Sequence, residues 1–77
     1  MNKTLPIVID TISEVLKGAG QPVPAINSSS RILEDTGLDS LGLAEVVVKL
    51  EERLQKDPFK DEFIHFTTVE ELARLYG

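Results

Sequence analysis

The sequence predicts an all-α bundle of three long helices and one short one, in a single domain over residues 1–77, with a long loop between the first two long helices. Three observations carry that expectation. Apolar residues recur in steps of three and four in three separate segments, helix start and stop signals bracket those segments, and few stretches alternate apolar with polar as a half-buried strand would. Seventy-seven residues bury only about 60% of the surface the unfolded chain exposes, so the core is small and a deep, walled active site is not expected.

From Leu5 the apolar residues Val8, Ile9, Ile12, Val15 and Leu16 fall on one helical face. Thr4 is placed to cap this helix, and Pro6 is tolerated in a first turn whose N–H groups lack intrahelical partners. Gly18 and Gly20 end it, and Pro22 and Pro24 keep it from resuming. The connection from Gly18 to Leu38 is far longer than the usual ~4 to 6 residues. It is expected to be a surface loop pinned to the core by Ile26, Ile32 and Leu38, with Ser28, Ser29 and Ser30 as solvated turn formers.

The second long helix is expected from Ser40 to Leu54, with Leu43, Val46, Val47, Leu50 and Leu54 as its core stripe and Gly42, Glu45, Lys49, Glu52 and Lys56 opposite. Leu41, Ala44, Val48 and Glu51 form a flank between them, apolar near the helix start and acidic further on. Asp57-Pro58 breaks the pattern, and the short helix is expected at Lys60 to Ile64. Thr67 and Thr68, each followed three residues later by Glu70 and Glu71, give two overlapping capping boxes for a last helix that buries Val69, Leu72, Ala73 and Tyr76.

Thirteen acids against eight bases argue against nucleic acid or an anionic membrane surface as partner and favour basic proteins. From Glu34 to Glu52 there are six acids and one base, Lys49, while the remainder holds seven of each sign, so the net charge of −5 resides in that segment. There is no cysteine, which removes disulfides and thiolate chemistry and suits a reducing compartment such as the cytoplasm. The N-terminus lacks a signal-peptide pattern, and no stretch approaches the ~18 apolar residues of a membrane span, so no membrane insertion is expected.

One histidine, no glycine-rich phosphate loop and no spaced His or Asp cluster leave metal catalysis and nucleotide hydrolysis without ligands. The carboxylate pairs Glu51-Glu52, Asp61-Glu62 and Glu70-Glu71 fall on expected solvated faces. A triad of Ser40, His65 and Asp39 is geometrically awkward, because adjacent Asp39 and Ser40 cannot easily flank a histidine. No catalytic residue and no metal ligand is assigned. What remains is a serine at a helix start after the turn Thr36-Gly37-Leu38. Its ordinary reading is a helix cap, supplied by Asp39 or Ser40.

The stretch Ile32-Leu33-Glu34-Asp35-Thr36-Gly37-Leu38-Asp39-Ser40-Leu41-Gly42-Leu43-Ala44-Glu45-Val46 closely resembles the phosphopantetheine attachment region of freestanding, type II acyl carrier proteins. It has the same lead-in, the same Gly-Leu-Asp-Ser-Leu core and the same acidic helix after it, and Thr67-Thr68-Val69 opens a final helix as in that family. The resemblance implies an acyl-carrier-like four-helix bundle in which Ser40 receives 4′-phosphopantetheine from coenzyme A. A separate phosphopantetheinyl transferase performs the transfer, so the chain is a substrate of other enzymes and not itself one. It implies that Asp39 and Leu41 serve recognition by the transferase. It also implies that Leu41, Glu45, Val48, Glu51 and Glu52 form the face read by acyl-loading enzymes, acyltransferases or ketosynthases with basic docking patches. Charge complementarity of this kind speeds and orients encounters more than it tightens them, which suits a carrier that must release.

Three departures from the fatty-acid pattern point toward polyketide or other specialised-metabolite assembly: Gly42 where an acid is common, Arg53 within the acidic run, and the stretch Gln55 to Phe59. An aminoacyl or peptidyl carrier is the nearest alternative, though Leu38 is the acyl-carrier choice; a cofactor-free helical interaction module is the next. Monomeric behaviour is expected, since the only candidate exposed apolar patch is the small docking flank.

Overall fold

The computed structural model describes residues 3–60, 62 and 64–76. Its elements are α1 (Thr4–Gly18), α2 (Ile32–Asp35), α3 (Ser40–Leu54) and α4 (Val69–Tyr76). The architecture is all-α, and α1 is the element against which both α3 and α4 pack.

Val8, Thr11, Ile12, Val15 and Leu16 form the buried face of α1, at the spacing the sequence shows. The helix starts one residue earlier than a Thr4 cap would place it: Lys3 holds the N-cap position and Thr4 is already helical. Its end is a Schellman motif. Gly20, at φ 74, donates to the Lys17 carbonyl (3.0 Å), and Gln21 N–H donates to that of Leu16 (2.9 Å). The positive φ at Gly20 is what a glycine supplies without steric cost.

The short helix is not where the sequence suggested. Lys60, Glu62 and Ile64 are non-helical, while Asp61 and Phe63 lie outside the described residues. After Pro58 the backbone makes a single turn, with Lys60 N–H donating to the Asp57 carbonyl (3.3 Å), and Phe59 packs against the core. The short helix forms instead inside the long loop, as α2. There the Asp35 carboxylate accepts the Arg31 N–H (2.8 Å), and Asp35 N–H returns to the Arg31 carbonyl (2.8 Å). The buried Thr36 hydroxyl donates to the Ile32 carbonyl and accepts the Leu38 N–H (3.3 Å). Gly37, at φ 85, then turns the chain so that Leu38 is buried. Ile32 and Leu38 are core residues and Ile26 packs against them, so all three anchors hold the loop as expected.

Ser30 is a correction of another kind. It is buried, its hydroxyl accepts the Asn27 N–H (3.0 Å), and its carbonyl accepts the Val69 N–H (3.0 Å) while that of Ser28 accepts the Glu70 N–H (3.0 Å). These are donors that a helix start leaves without intrahelical partners. The serine run thus ties the loop to the start of α4, helped by an isolated antiparallel bridge between Arg31 and Thr68.

Of the two capping boxes, Thr68 and Glu71 form theirs. The Thr68 hydroxyl accepts the Glu71 N–H (3.2 Å), and Glu71 Oε1 accepts the N–H groups of Thr68 (3.0 Å) and Thr67 (3.2 Å). Glu70 turns to Arg74 instead (2.8 Å). The backbone bonds hold the Glu71 carboxyl below its ordinary 4.5. A depressed native pKa stabilises the fold above the unfolded value and ceases to as the carboxylate is protonated. Stability is therefore expected to fall as pH drops below 4.5. Glu14, lowered chiefly by its bond to Arg53, and Asp35, lowered chiefly by the Arg31 N–H, add to the loss. Glu51 acts in the opposite sense, since burial and Asp57 raise its pKa. Glu71→Gln keeps an acceptor but not the charge. Urea midpoints measured between pH 6 and about 3 should then fall less steeply than in the parent chain.

Arg53, a departure from the acidic pattern in sequence, joins α3 to α1. It donates to the hydroxyl of fully buried Thr11 (2.8 Å), pairs with Glu14 and lies 3.6 Å from Asp10. Thr11 in turn donates to the Ile7 carbonyl (2.7 Å), so its hydroxyl is used in both directions.

Candidate functional site

Ser40 is the first residue of α3 and is exposed. The cap is Asp39, with extended backbone (φ −97, ψ −179) and a side chain that accepts the Gly42 N–H at 2.7 Å. Of the two capping candidates, Asp39 therefore takes the structural role and the Ser40 side chain is spared it. The buried Leu38 fixes the chain just before the cap. A group bonded to Ser40 Oγ projects from a helix start whose N–H groups and dipole favour an anion, as a phosphodiester is.

Gly42 does not stand on the solvated side where the sequence pattern put it. It is half-buried, and a Cβ there would meet Leu38 Cδ2 at 2.9 Å and Asp39 Oδ1 at 3.2 Å, with Val15 Cγ1 at 3.7 Å. The missing side chain lets the cap and Leu38 close over the start of α3. A cleft of about 100 Å³ remains beside it, lined by Leu41 of α3 and by Val15 and Leu16 of α1 among others.

Leu41 is 70% exposed and Val48 54%. With exposed Glu45 and Glu52 they recur at i, i+4, i+7 and i+11, one ridge along α3. Among the described residues neither acid has an ion-pair partner, and the Glu45–Lys49 pair that the spacing allows is not formed. The acids before α3 are different: Arg31 meets Glu34 at 2.7 Å and Asp35 at 3.5 Å. Glu51 lies off this ridge, half-buried, its pKa raised by burial and by Asp57. Four of the five docking residues expected from sequence thus share a face and one does not.

Ser40 also borders an apolar cavity of about 400 Å³ that is open to solvent, lined by Leu43, Val47 and Val48 of α3 and by Phe59 and Phe66 from the α3–α4 connection. The two rings are 5.8 Å apart. Sequence reading missed both aromatics; the signal was there in large apolar side chains set in an otherwise polar, non-periodic stretch. His65 is exposed near the Thr67 hydroxyl (3.5 Å), and the Asp39 carboxylate is committed to the Gly42 N–H. Among the described residues there is no cluster of metal-ligating side chains, and no helix is long and apolar enough to cross a membrane.

An exposed serine beside a capped helix start and an apolar cavity fits a long, flexible, anionic-ended arm, and the comparisons agree. The phosphopantetheine attachment site family matches residues 6–76. The solution structure of MacpD, an acyl carrier protein from Pseudomonas fluorescens involved in mupirocin biosynthesis, superposes with a TM-score of 0.85 at 37% identity, covering 99% of this chain and 69% of that one. No curated protein matches the chain. The family match over nearly the whole length and the shared fold place this chain in the acyl carrier protein family, whose domain is the site of covalent 4′-phosphopantetheine attachment.

Proposed function

We propose that Ser40 bears the 4′-phosphopantetheine arm and that the protein shuttles acyl groups, held as thioesters on that arm, among enzymes of a specialised biosynthetic route such as polyketide assembly. The observation that carries this is the division of labour at the start of α3. Asp39 caps the helix, and Ser40 is left exposed at the mouth of the apolar cavity. The neighbouring Asp39 carboxylate is engaged by the Gly42 N–H, and in this reading a separate phosphopantetheinyl transferase activates the Ser40 hydroxyl. The ridge of Leu41, Glu45, Val48 and Glu52, with Glu51 on its flank, is the surface on which that transferase and acyl-loading enzymes, acyltransferases or ketosynthases with basic patches would dock. The specialised-route direction is supported by the likeness to a carrier involved in mupirocin biosynthesis. In this reading the protein works as a cytoplasmic monomer.

Incubation with coenzyme A and a broad-specificity transferase is expected to add the mass of one arm, found on the peptide containing Ser40; no gain would refute the proposal. Loading of the modified protein solely by an amino-acid-adenylating enzyme would refute acyl cargo in particular. Asp39 gives a second test. Asn caps as well as Asp, so Asp39→Asn should leave the melting temperature nearly unchanged. Loss of the charge from a charge-assisted contact, about 1.5–3 kcal/mol, should slow arm transfer by about ten-fold or more.

A further inference from the structure

Tyr76 is a core residue, 2% exposed, whose hydroxyl is buried without a hydrogen-bond partner among the described residues. Buried hydroxyls nearly always find partners, and leaving one unpaired is costly. Phenylalanine would fill the same place at the end of α4 without that cost. Burial, and then the Glu51 and Asp57 carboxylates, push the phenol up to about 12, so it is a neutral hydrogen-bond donor at physiological pH.

The ring is linked to the cavity at Ser40 by its neighbours. Phe59 lies edge-on to Tyr76 at 6.4 Å and tilted to Phe66 at 5.8 Å, and Phe59 and Phe66 both wall that cavity. Phe59 is therefore an aromatic layer between the cavity and Tyr76. It is half-buried and belongs to no helix.

Resting on the reading of Ser40 as the attachment point, we propose that Tyr76 determines cargo specificity. The favoured cargo is an acyl chain with a keto or hydroxyl oxygen beyond the thioester, which passes Phe59 and accepts a hydrogen bond from the Tyr76 hydroxyl. A saturated chain gains only apolar burial there and offers the hydroxyl no acceptor. An oxygenated chain loses hydration on entering and recovers it in this bond. Sites built around a polar group discriminate in this way against analogues that lack its partner.

The test uses arm-bearing protein loaded with octanoyl or with oxo-octanoyl thioesters carrying the keto group at carbon 3, 5 or 7, each loading verified by intact mass. Exchange of the thioester with excess glutathione, followed by intact mass, reports how well the thioester is sheltered. In Tyr76→Phe at least one oxo-acyl thioester should be exchanged about five-fold faster than in the parent protein, the loss of one hydrogen bond, while octanoyl stays within about two-fold. In the parent protein the Tyr76 Cζ chemical shift should move on loading with that oxo cargo and not with octanoyl, a reading that does not depend on the variant folding. Equal effects on all cargoes, no effect on any, or a Tyr76 hydroxyl that stays bonded to an internal water in every loaded state would overturn the proposal. Absence of the loading mass gain would overturn the Ser40 attachment and this inference with it; normal loading followed by indifference to the oxygen overturns the Tyr76 role alone.

Discussion

Ser40→Ala is expected to abolish arm attachment completely while leaving the fold intact. A phosphodiester needs the hydroxyl oxygen, and alanine offers none, so the mass gain with coenzyme A and transferase should vanish. Stability should not suffer, because the helix cap comes from Asp39, whose carboxylate accepts the Gly42 N–H at 2.7 Å. Ser40 is the first residue inside the helix and is exposed. Alanine is the better helix former there, so the variant should match or exceed the parent by up to about 0.5 kcal/mol in urea denaturation. The pair of readings separates a lost acceptor from a lost fold. A variant that still gains the arm would move the attachment elsewhere, first to the exposed Ser29, since Ser30 is buried in the loop that holds α4.

The three long helices were legible because their signals are local. The apolar steps of α1 and α3, Gly20 at the end of α1 and the Thr68–Glu71 box all act within a few residues of where they stand. The short helix was not, because α2 depends on partners far along the chain. Ile32 N–H donates to the Thr67 carbonyl (3.0 Å), and Ser30 accepts the Val69 N–H; no window of sequence contains both ends of those bonds. Gly42 misled for a related reason. Helical spacing put it opposite the core stripe, yet Leu38, arriving through the positive-φ turn at Gly37, packs over it. Arg53 read as an interruption of the acidic run, whereas its guanidinium serves α1, forty-two residues away at Thr11. At the candidate site the position of Ser40 and the exposure of Leu41, Glu45, Val48 and Glu52 followed from periodicity. The tilt of Glu51 toward Asp57 and the aromatic walls of the cavity did not, since they depend on how an irregular connection folds back.

Leu50→Ala is expected to have the largest effect on stability. Leu50 is fully buried, one turn beyond the equally buried Val46, on the side of α3 that meets α1. Truncating such a residue costs about 2–5 kcal/mol through lost transfer energy and the cavity left behind. At about 0.05–0.15 kcal/mol per residue, a chain of this size has roughly 4–12 kcal/mol in total, so the loss is a large share of it. A cost of about 3 kcal/mol should lower the melting temperature by roughly 12–24 °C, measurable by circular dichroism. Leu41→Ala and Val48→Ala remove similar apolar side chains from the same helix and should change stability by less than about 0.5 kcal/mol, because both are mostly in solvent already. Their effect belongs to partners: if Leu41 enters an apolar pocket of the transferase, its truncation should reduce kcat/KM for arm transfer by about ten-fold. A Leu50→Ala protein that melts like its parent would mean that α3 is not fastened through this contact. A Leu41→Ala protein that is modified at the parental rate would mean that the exposed ridge is not the surface the transferase reads. The two outcomes are independent because Leu50 and Leu41 lie on different faces of α3, one fully buried and the other 70% exposed, so truncating either leaves the surroundings of the other in place.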